Sequence, residues 1–210
     1  MTLGRELLVA TRSLHKLREL RELINVSGFQ LVSLDEAGVP EAPIEEHLEV
    51  YYTFEQNARA KAVYFQRSTL MPTIADDSGL CVDRLSGGPG VRTKRFAPVD
   101  MVERLGRDEA NNRYLLQRLE EVPEEERGAR YRCAIAYEDG EASFVVEGVV
   151  EGRIAAEPSG EGGFGYDPLF VVPEYGETFG VLPPEVKAEL SHRSRAARAL
   201  DERLRELRSS

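Results

Sequence analysis

The sequence predicts an α/β protein built on a mixed central sheet with flanking helices, and three observations carry that expectation. An apolar run, "ELLVAT", is followed by a polar turn and then by leucines at helical spacing, which is a strand-turn-helix opening. Further β runs are separated by helical segments long enough to be crossovers. Late in the chain a long alternating hairpin adds antiparallel pairing, so the sheet cannot be purely parallel. At 210 residues the chain is long enough for one domain spanning 1–210, with two lobes around a cleft and a core that needs no staples.

Taken in order, residues 6–11 form the first strand, and Leu17, Leu20, Leu23 and Ile24 then mark one helix face. "FQLVSL" reads as a second strand, and 35–49, with Pro40, Pro43 and several acids, as a loop. Residues 53–66 read as a helix with Thr53 as N-cap. "TIADDSGLCV", 73–82, supplies one or two strands, and "SGGPG" after it reads as loop. From Val99 to about Val122 the pattern is helical with a break near Gly106. Tyr131, Cys133, Ile135 and Tyr137 alternate with small or polar residues up to Asp139-Gly140, which predicts a hairpin with a two-residue type I′ turn into "EASFVVEGVV". Residues 157–168 form a glycine-rich loop, "LFVV" a further strand, and 183–208 one or two closing helices.

Hydrophobic residues at 41% and charged residues at 30% are ordinary globular composition. Cys81 and Cys133 lie in strand-like runs and read as small buried hydrophobes, which fits a reducing, cytoplasmic setting. No apolar run approaches the ~20 residues of a membrane span, and the apolar part of "MTLGRELLVA" is too short for a signal peptide. A net charge of -10 argues against a nucleic-acid polymer as partner, because phosphate-backbone binding rests on accumulated Lys and Arg. It does not exclude a small anionic ligand, since charge beyond a Debye length of about 8 Å is screened. The basic residues are 23 Arg and only four Lys: Lys16, Lys61, Lys94 and Lys187. Such a chain keeps Lys where a compact ammonium is specifically wanted. Nothing in the sequence explains the Arg excess itself.

Four stretches carry chemistry. "TRSLHK" puts hydroxyls, backbone N–H groups and a lysine at a helix N-terminus, a natural phosphate site, although a Ser N-cap beside a solvated Lys looks the same. In "ADDSG" successive strand side chains face opposite ways, so one of Asp76 and Asp77 faces a site unless the segment is simply a turn. A carboxylate there suits Mg2+ or a proton-accepting role. "EGGFGYDP" sets Phe164 among glycines, as a stacking face for a base or as a loop anchor. In "LSHRSR", Ser191 is an N-cap that leaves His192 and Arg193 at the positive end of a helix dipole, where a cation points to a ligand or to an ordinary surface residue.

In this order and separation, the strand-Thr-x-Ser-x-x-Lys opening, "ADDSGL", "GGPGV", "GGFGYDPLF" and "KAELSHRSRAAR" resemble the inosine triphosphate pyrophosphatase family, from Leu8 to about Leu200. That resemblance implies hydrolysis of non-standard purine nucleoside triphosphates (ITP, dITP, XTP) to monophosphate and pyrophosphate, with Mg2+ as cofactor and a homodimer as assembly. It implies triphosphate binding by Thr11, Ser13 and Lys16, and a substrate contact by Ser78. Asp77 matches the proposed catalytic base and, with Glu49, the metal-binding carboxylates. Phe164, Gly165, Tyr166 and Asp167 match the base-reading loop, and His192 and Arg193 the pair that recognises a purine 6-oxo group. Lys61, Lys94 and Lys187 coincide with substrate-contacting lysines. The chain departs from the pattern at Ser13, where Asn is usual, at Val50-Tyr51 and at Arg92. A Maf-type nucleotide pyrophosphatase and a non-catalytic nucleotide-binding module are the alternatives.

Overall fold

In a computed structural model, the structure describes residues 5–25 and 28–209; the first four residues of "MTLGRELLVA" therefore lie outside it. The expected α/β class with a mixed sheet is borne out. Strands β1 (Arg5–Val9), β2 (Phe29–Ser33), β3 (Thr73–Val82), β4 (Gly88–Pro89), β5 (Gly128–Glu138), β6 (Ser143–Ile154), β7 (Phe170–Val172) and β8 (Glu177–Thr178) run in the order β2-β1-β3-β5-β6-β7-β8, with β4 paired to β3. The chain divides into two compact units, Met1–Asp77 with Cys133–Gly148 and His192–Ser210, and Ser78–Arg132 with Val149–Ser191.

In the first unit, β1 (Arg5–Val9) pairs in parallel with β2 (Phe29–Ser33), Leu7 opposite Leu31, and with the start of β3 (Thr73–Val82), Leu8 opposite Thr73. Helix α1 (Leu14–Leu23) begins at Leu14 because the Ser13 hydroxyl accepts the Lys16 N–H, one of the donors a helix start leaves unmatched. Thr53 does the same for Gln56 in α2 (Phe54–Thr69), which runs three residues past the expected end at 66 and is capped by Leu70 in the left-handed region, φ 57°. Leu7, Val9, Leu20, Ile74, Ile135 and Leu200 share one core, to which the last helix, α6 (His192–Ser209), brings Ala196, Ala197 and Leu200. These small residues matter at Gly148 too: a methyl there would overlap the His192 carbonyl oxygen and the Ala196 amide nitrogen, so glycine is what lets the helix backbone close onto the strand.

The second unit has its own core of Leu80, Leu115, Tyr131, Leu169, Phe170 and Phe179. Phe170 stacks on Phe179 with centroids 5.5 Å apart and tilts against Tyr131 at 4.6 Å. The expected break at Gly106 separates α3 (Val99–Leu105) from α4 (Arg107–Arg118). After β7 (Phe170–Val172) and β8 (Glu177–Thr178), α5 (Pro184–Leu190) closes the unit.

Three expectations are corrected. "SGGPG" is not simply loop: Gly88–Pro89 form β4, antiparallel to Cys81–Val82 of β3, and a 3-10 turn follows over Gly90–Arg95. The hairpin of β5 (Gly128–Glu138) and β6 (Ser143–Ile154) turns through Gly140 and Glu141 rather than Asp139-Gly140. A type I′ turn needs positive φ at both central residues, and of this turn only Gly140 has it, at 92°. Asp139 instead spends its carboxylate on the N–H groups of Glu141 and Ala142, at 3.0 and 2.8 Å. Both cysteines are free thiols, but only Cys133 is fully buried, while Cys81 is half-buried.

Candidate active site

The open question about Asp76 and Asp77 is answered by β3, which runs unbroken through both. A turn is excluded, and the alternation of strand side chains gives the two carboxylates different neighbours. Asp76, 1% exposed, meets Lys16 Nζ at 2.9 Å and the Arg193 guanidinium at 3.4 Å. Burial alone would raise its pKa, but Lys16, Arg193 and Lys61 together outweigh that and hold it far below the carboxylate range. Asp77 accepts a hydrogen bond from Asn57 Nδ2 at 2.8 Å. Burial raises its pKa, and the nearby Lys61 and Lys16 only partly offset the rise. Two adjacent aspartates are thus driven in opposite directions.

Lys61, almost fully buried on α2, bonds Glu49 Oε1 at 2.6 Å and also donates to the Asp76 carbonyl. Burial would lower its pKa, but Glu49, Asp76 and Asp77 together raise it, so the ammonium stays charged. Arg193, the first-turn cation of α6, has its ligand inside the chain: Asp76 and Glu19. His192 beside it is 5% exposed. Thr11 Oγ1 accepts the Ser13 N–H at 3.2 Å, which ties the two hydroxyl residues together just ahead of α1. The first unit therefore brings together Lys16, Lys61, Asp77 and Arg193 around Asp76, with Glu49 attached through Lys61.

In the second unit the loop 163–167 is held largely through its backbone. Asp167 Oδ2 accepts the Phe164 N–H at 2.8 Å and pairs with Lys187 Nζ at 2.7 Å. The same ammonium lies 4.7 Å from the Phe164 ring centroid, a cation-π contact that fixes one face of a half-buried ring. The Gly165 N–H donates to Asp108 Oδ2 at 2.9 Å, and its carbonyl accepts from Asn112 Nδ2 at 3.0 Å. Tyr166 is 3% exposed and donates its hydroxyl to the Thr93 carbonyl at 2.9 Å, so its ring belongs to the core. Ser78 is buried, and Lys94 is exposed on the 3-10 turn.

Several residues of these clusters went unrecognised in the sequence. Asn57 had a signal: Phe54, Asn57, Ala58, Lys61 and Ala62 follow the buried stripe of α2, and an amide on such a stripe needs partners. It finds them on both sides, because its Oδ1 also accepts the Tyr51 N–H at 2.9 Å. Asn57 thereby links the segment carrying Glu49 to Asp77. Glu19 carried no signal, since its partner Arg193 lies 174 residues away.

Fold and site define an α/β protein whose first unit carries a buried cluster of carboxylates and cations, and whose second carries a glycine-flanked aromatic loop. The chain belongs to the Ham1 family, whose model matches residues 7–203. It is 47% identical over 206 residues to a dITP/XTP pyrophosphatase of Nocardia farcinica, covering 95% of this chain and 94% of that one. A dITP/XTP pyrophosphatase of Geobacillus kaustophilus is 43% identical over 204 residues, covering 97% and 96%. Among solved structures, a HAM1 protein from Coxiella burnetii superimposes with a TM-score of 0.83 at 34% identity, covering 96% of this chain and 99% of that one.

Proposed function

We infer that the protein hydrolyses non-standard purine nucleoside triphosphates, of the ITP, dITP and XTP type, to the monophosphate and pyrophosphate. One observation carries the reading: Asp77, a carboxylate whose pKa burial pushes up, is held by the Asn57 amide in a chain that matches dITP/XTP pyrophosphatases along nearly its whole length. Asp77 accepts the proton of the attacking water, a task for which a carboxylate shifted upward by burial is a stronger base than an ordinary one. The chain cleaves the bond between α- and β-phosphates; Thr11, Ser13 and Lys16 bind the triphosphate, aided by Lys61, Lys94 and Lys187, and Ser78 adds a substrate contact.

Glu49 and Asp77 are the residues that would hold Mg2+. Their chemistry fits: both are hard oxygen donors, and Mg2+ is commonly bound by one or two carboxylates shared with substrate phosphates. The upward push on Asp77 is also a penalty that an added cation relieves. When bound, Mg2+ neutralises charge on the phosphate oxygens.

Base selection follows from hydrogen bonding and stacking. Phe164 stacks on the base within the loop 164–167, and His192 with Arg193 serve the 6-oxo acceptor. An adenine amine there leaves donors facing a donor, at ~1–3 kcal/mol each, which gives roughly tens- to hundreds-fold discrimination. The two free cysteines support a cytoplasmic location, and the exposed, adjacent Val50, Tyr51 and Tyr52 offer apolar surface for a homodimer. The reading is tested by pyrophosphate release from ITP, XTP, dITP, GTP, ATP and TTP with Mg2+. Fast release confined to the 6-oxo, non-standard purines is expected; equal rates across the panel, or none, would overturn it.

A further inference from the structure

Helix α4 presents two side chains four residues apart, Asp108 and Asn112, to a single residue of the aromatic loop. Residues spaced i and i+4 share a helix face, and here both reach Gly165: Asp108 Oδ2 takes its N–H at 2.9 Å and Asn112 Nδ2 bonds its carbonyl at 3.0 Å. Both backbone polar groups of Gly165 are thus consumed by one helix. The residue sits at φ 65°, the left-handed region glycine enters without strain, so the clamp selects a conformation that the loop alone would leave to chance.

The neighbouring residue of the helix continues the pattern. Asn111 Nδ2 donates to the Thr93 carbonyl at 3.3 Å, the acceptor that Tyr166 also uses, and Asn111 Oδ1 accepts the Ala97 N–H at 2.9 Å. Asn112 is 6% exposed, and its Oδ1 makes no hydrogen bond although its Nδ2 is used. A half-satisfied buried amide is a poor choice for packing alone. Its retention makes sense if the bond to Gly165 is the purpose, because the peptide on one side of that residue joins it to Phe164.

We propose that Asp108 and Asn112 are positioning residues for base recognition, a two-point clamp on Gly165 that sets where the Phe164 ring is presented to the base. The proposal rests on the reading that Phe164 stacks on the base of a purine nucleotide. It assigns α4 to base affinity and selectivity and gives that helix no part in the phosphate chemistry.

The test is steady-state hydrolysis of ITP with Mg2+ by the full-length protein and by Asn112→Ala, Asp108→Ala, Phe164→Ala and the double variant Asn112→Ala/Phe164→Ala, with thermal melts and competition by inorganic tripolyphosphate, a probe without a base. Asn112→Ala is expected to raise KM for ITP about 5- to 10-fold, the scale of one lost hydrogen bond, with kcat within about twofold. Tripolyphosphate inhibition stays unchanged, and in the Phe164→Ala background the Asn112→Ala effect shrinks below about twofold, because the clamp acts through that ring. Asp108→Ala, at the exposed end of the clamp, raises KM in the same way and decides the matter if Asn112→Ala does not fold. Full additivity with Phe164→Ala, equal weakening of tripolyphosphate, or a lowered melting temperature with no change in KM overturns the clamp. If the unaltered protein hydrolyses ITP selectively and the variants keep its KM, only the clamp fails; if it hydrolyses no triphosphate, the functional reading fails and the clamp with it.

Discussion

The Asp76 cluster of the first unit and the 163–167 loop of the second hold their side chains by opposite means. Around Asp76, the cations Lys16, Lys61 and Arg193 meet the carboxylates of Asp77, Glu19 and Glu49, and Lys16, Asp76 and Arg193 are each no more than 3% exposed. Around Gly165 and Asp167, most bonds described run to backbone groups, and Lys187 pairs with Asp167. Buried charges gain or lose together, since removing one partner leaves the other uncompensated at about 3–5 kcal/mol. Backbone hydrogen bonds contribute about 0.5–1.5 kcal/mol each and can be lost singly. On the proposed function, the first arrangement suits all-or-none roles, in the chemistry and, through His192 and Arg193, in reading the 6-oxo group, and the second suits graded tuning of base affinity.

The sharpest test of that contrast is Asp77→Asn. If Asp77 is the base proposed above, its removal should lower kcat by about 10²- to 10⁴-fold. Because burial already disfavours the ionised form of Asp77, the neutral isostere should fold as stably as the parent or slightly more so, and it can still accept the Asn57 bond. A variant that retained activity, or that lost stability in a thermal melt, would remove Asp77 from the catalytic role.

Asp76→Asn, one residue away, should do the reverse and cost stability first, about 3–5 kcal/mol, by stranding Lys16 and Arg193. Its pH dependence has a fixed sign. A carboxylate with a depressed folded pKa contributes fully above its unfolded value of about 3.9 and loses that contribution as pH falls through the lower folded value. Denaturant unfolding of parent and variant should therefore differ most at neutral pH and converge in strong acid. A gap that widened on acidification would contradict the assigned ion pairs.

These two neighbours also show what a single sequence can and cannot disclose. Strand alternation said that Asp76 and Asp77 face different ways, and the resemblance picked out Asp77. The partners of Asp76 could not be read, because Lys16 and Arg193 approach it from 60 and 117 residues away, and pairings at such separation leave no local pattern. The hairpin was legible because period-two alternation is local, and so was the break at Gly106. Its turn was misplaced by one residue, since the Asp139 carboxylate, not a left-handed Asp139 backbone, organises the corner. β4 was missed because Gly and Pro announce a loop whether or not their backbone then pairs.

Gly148→Ala probes how tightly the first arrangement is built. The added methyl would overlap the backbone of His192 and Ala196, atoms that cannot swing aside as a side chain end can. Displacing the start of α6 should cost about 1–3 kcal/mol and reduce activity together with stability, because Arg193 moves with the helix. Unchanged melting and turnover would mean that the strand and helix are packed more loosely than the cluster requires.

Tyr166→Phe asks the corresponding question of the loop and should have the smallest effect. The change deletes one hydroxyl from a ring that stays in the core, and the Thr93 carbonyl it leaves still receives the Asn111 amide at 3.3 Å. The expected loss is about 0.5–1.5 kcal/mol in denaturant unfolding, with kcat for ITP retained and any change confined to KM. Were kcat to collapse instead, the loop would be coupled to the chemical step as tightly as the charged cluster is. The contrast between a charged cluster on which turnover depends and a loop whose bonds tune base affinity would then fail.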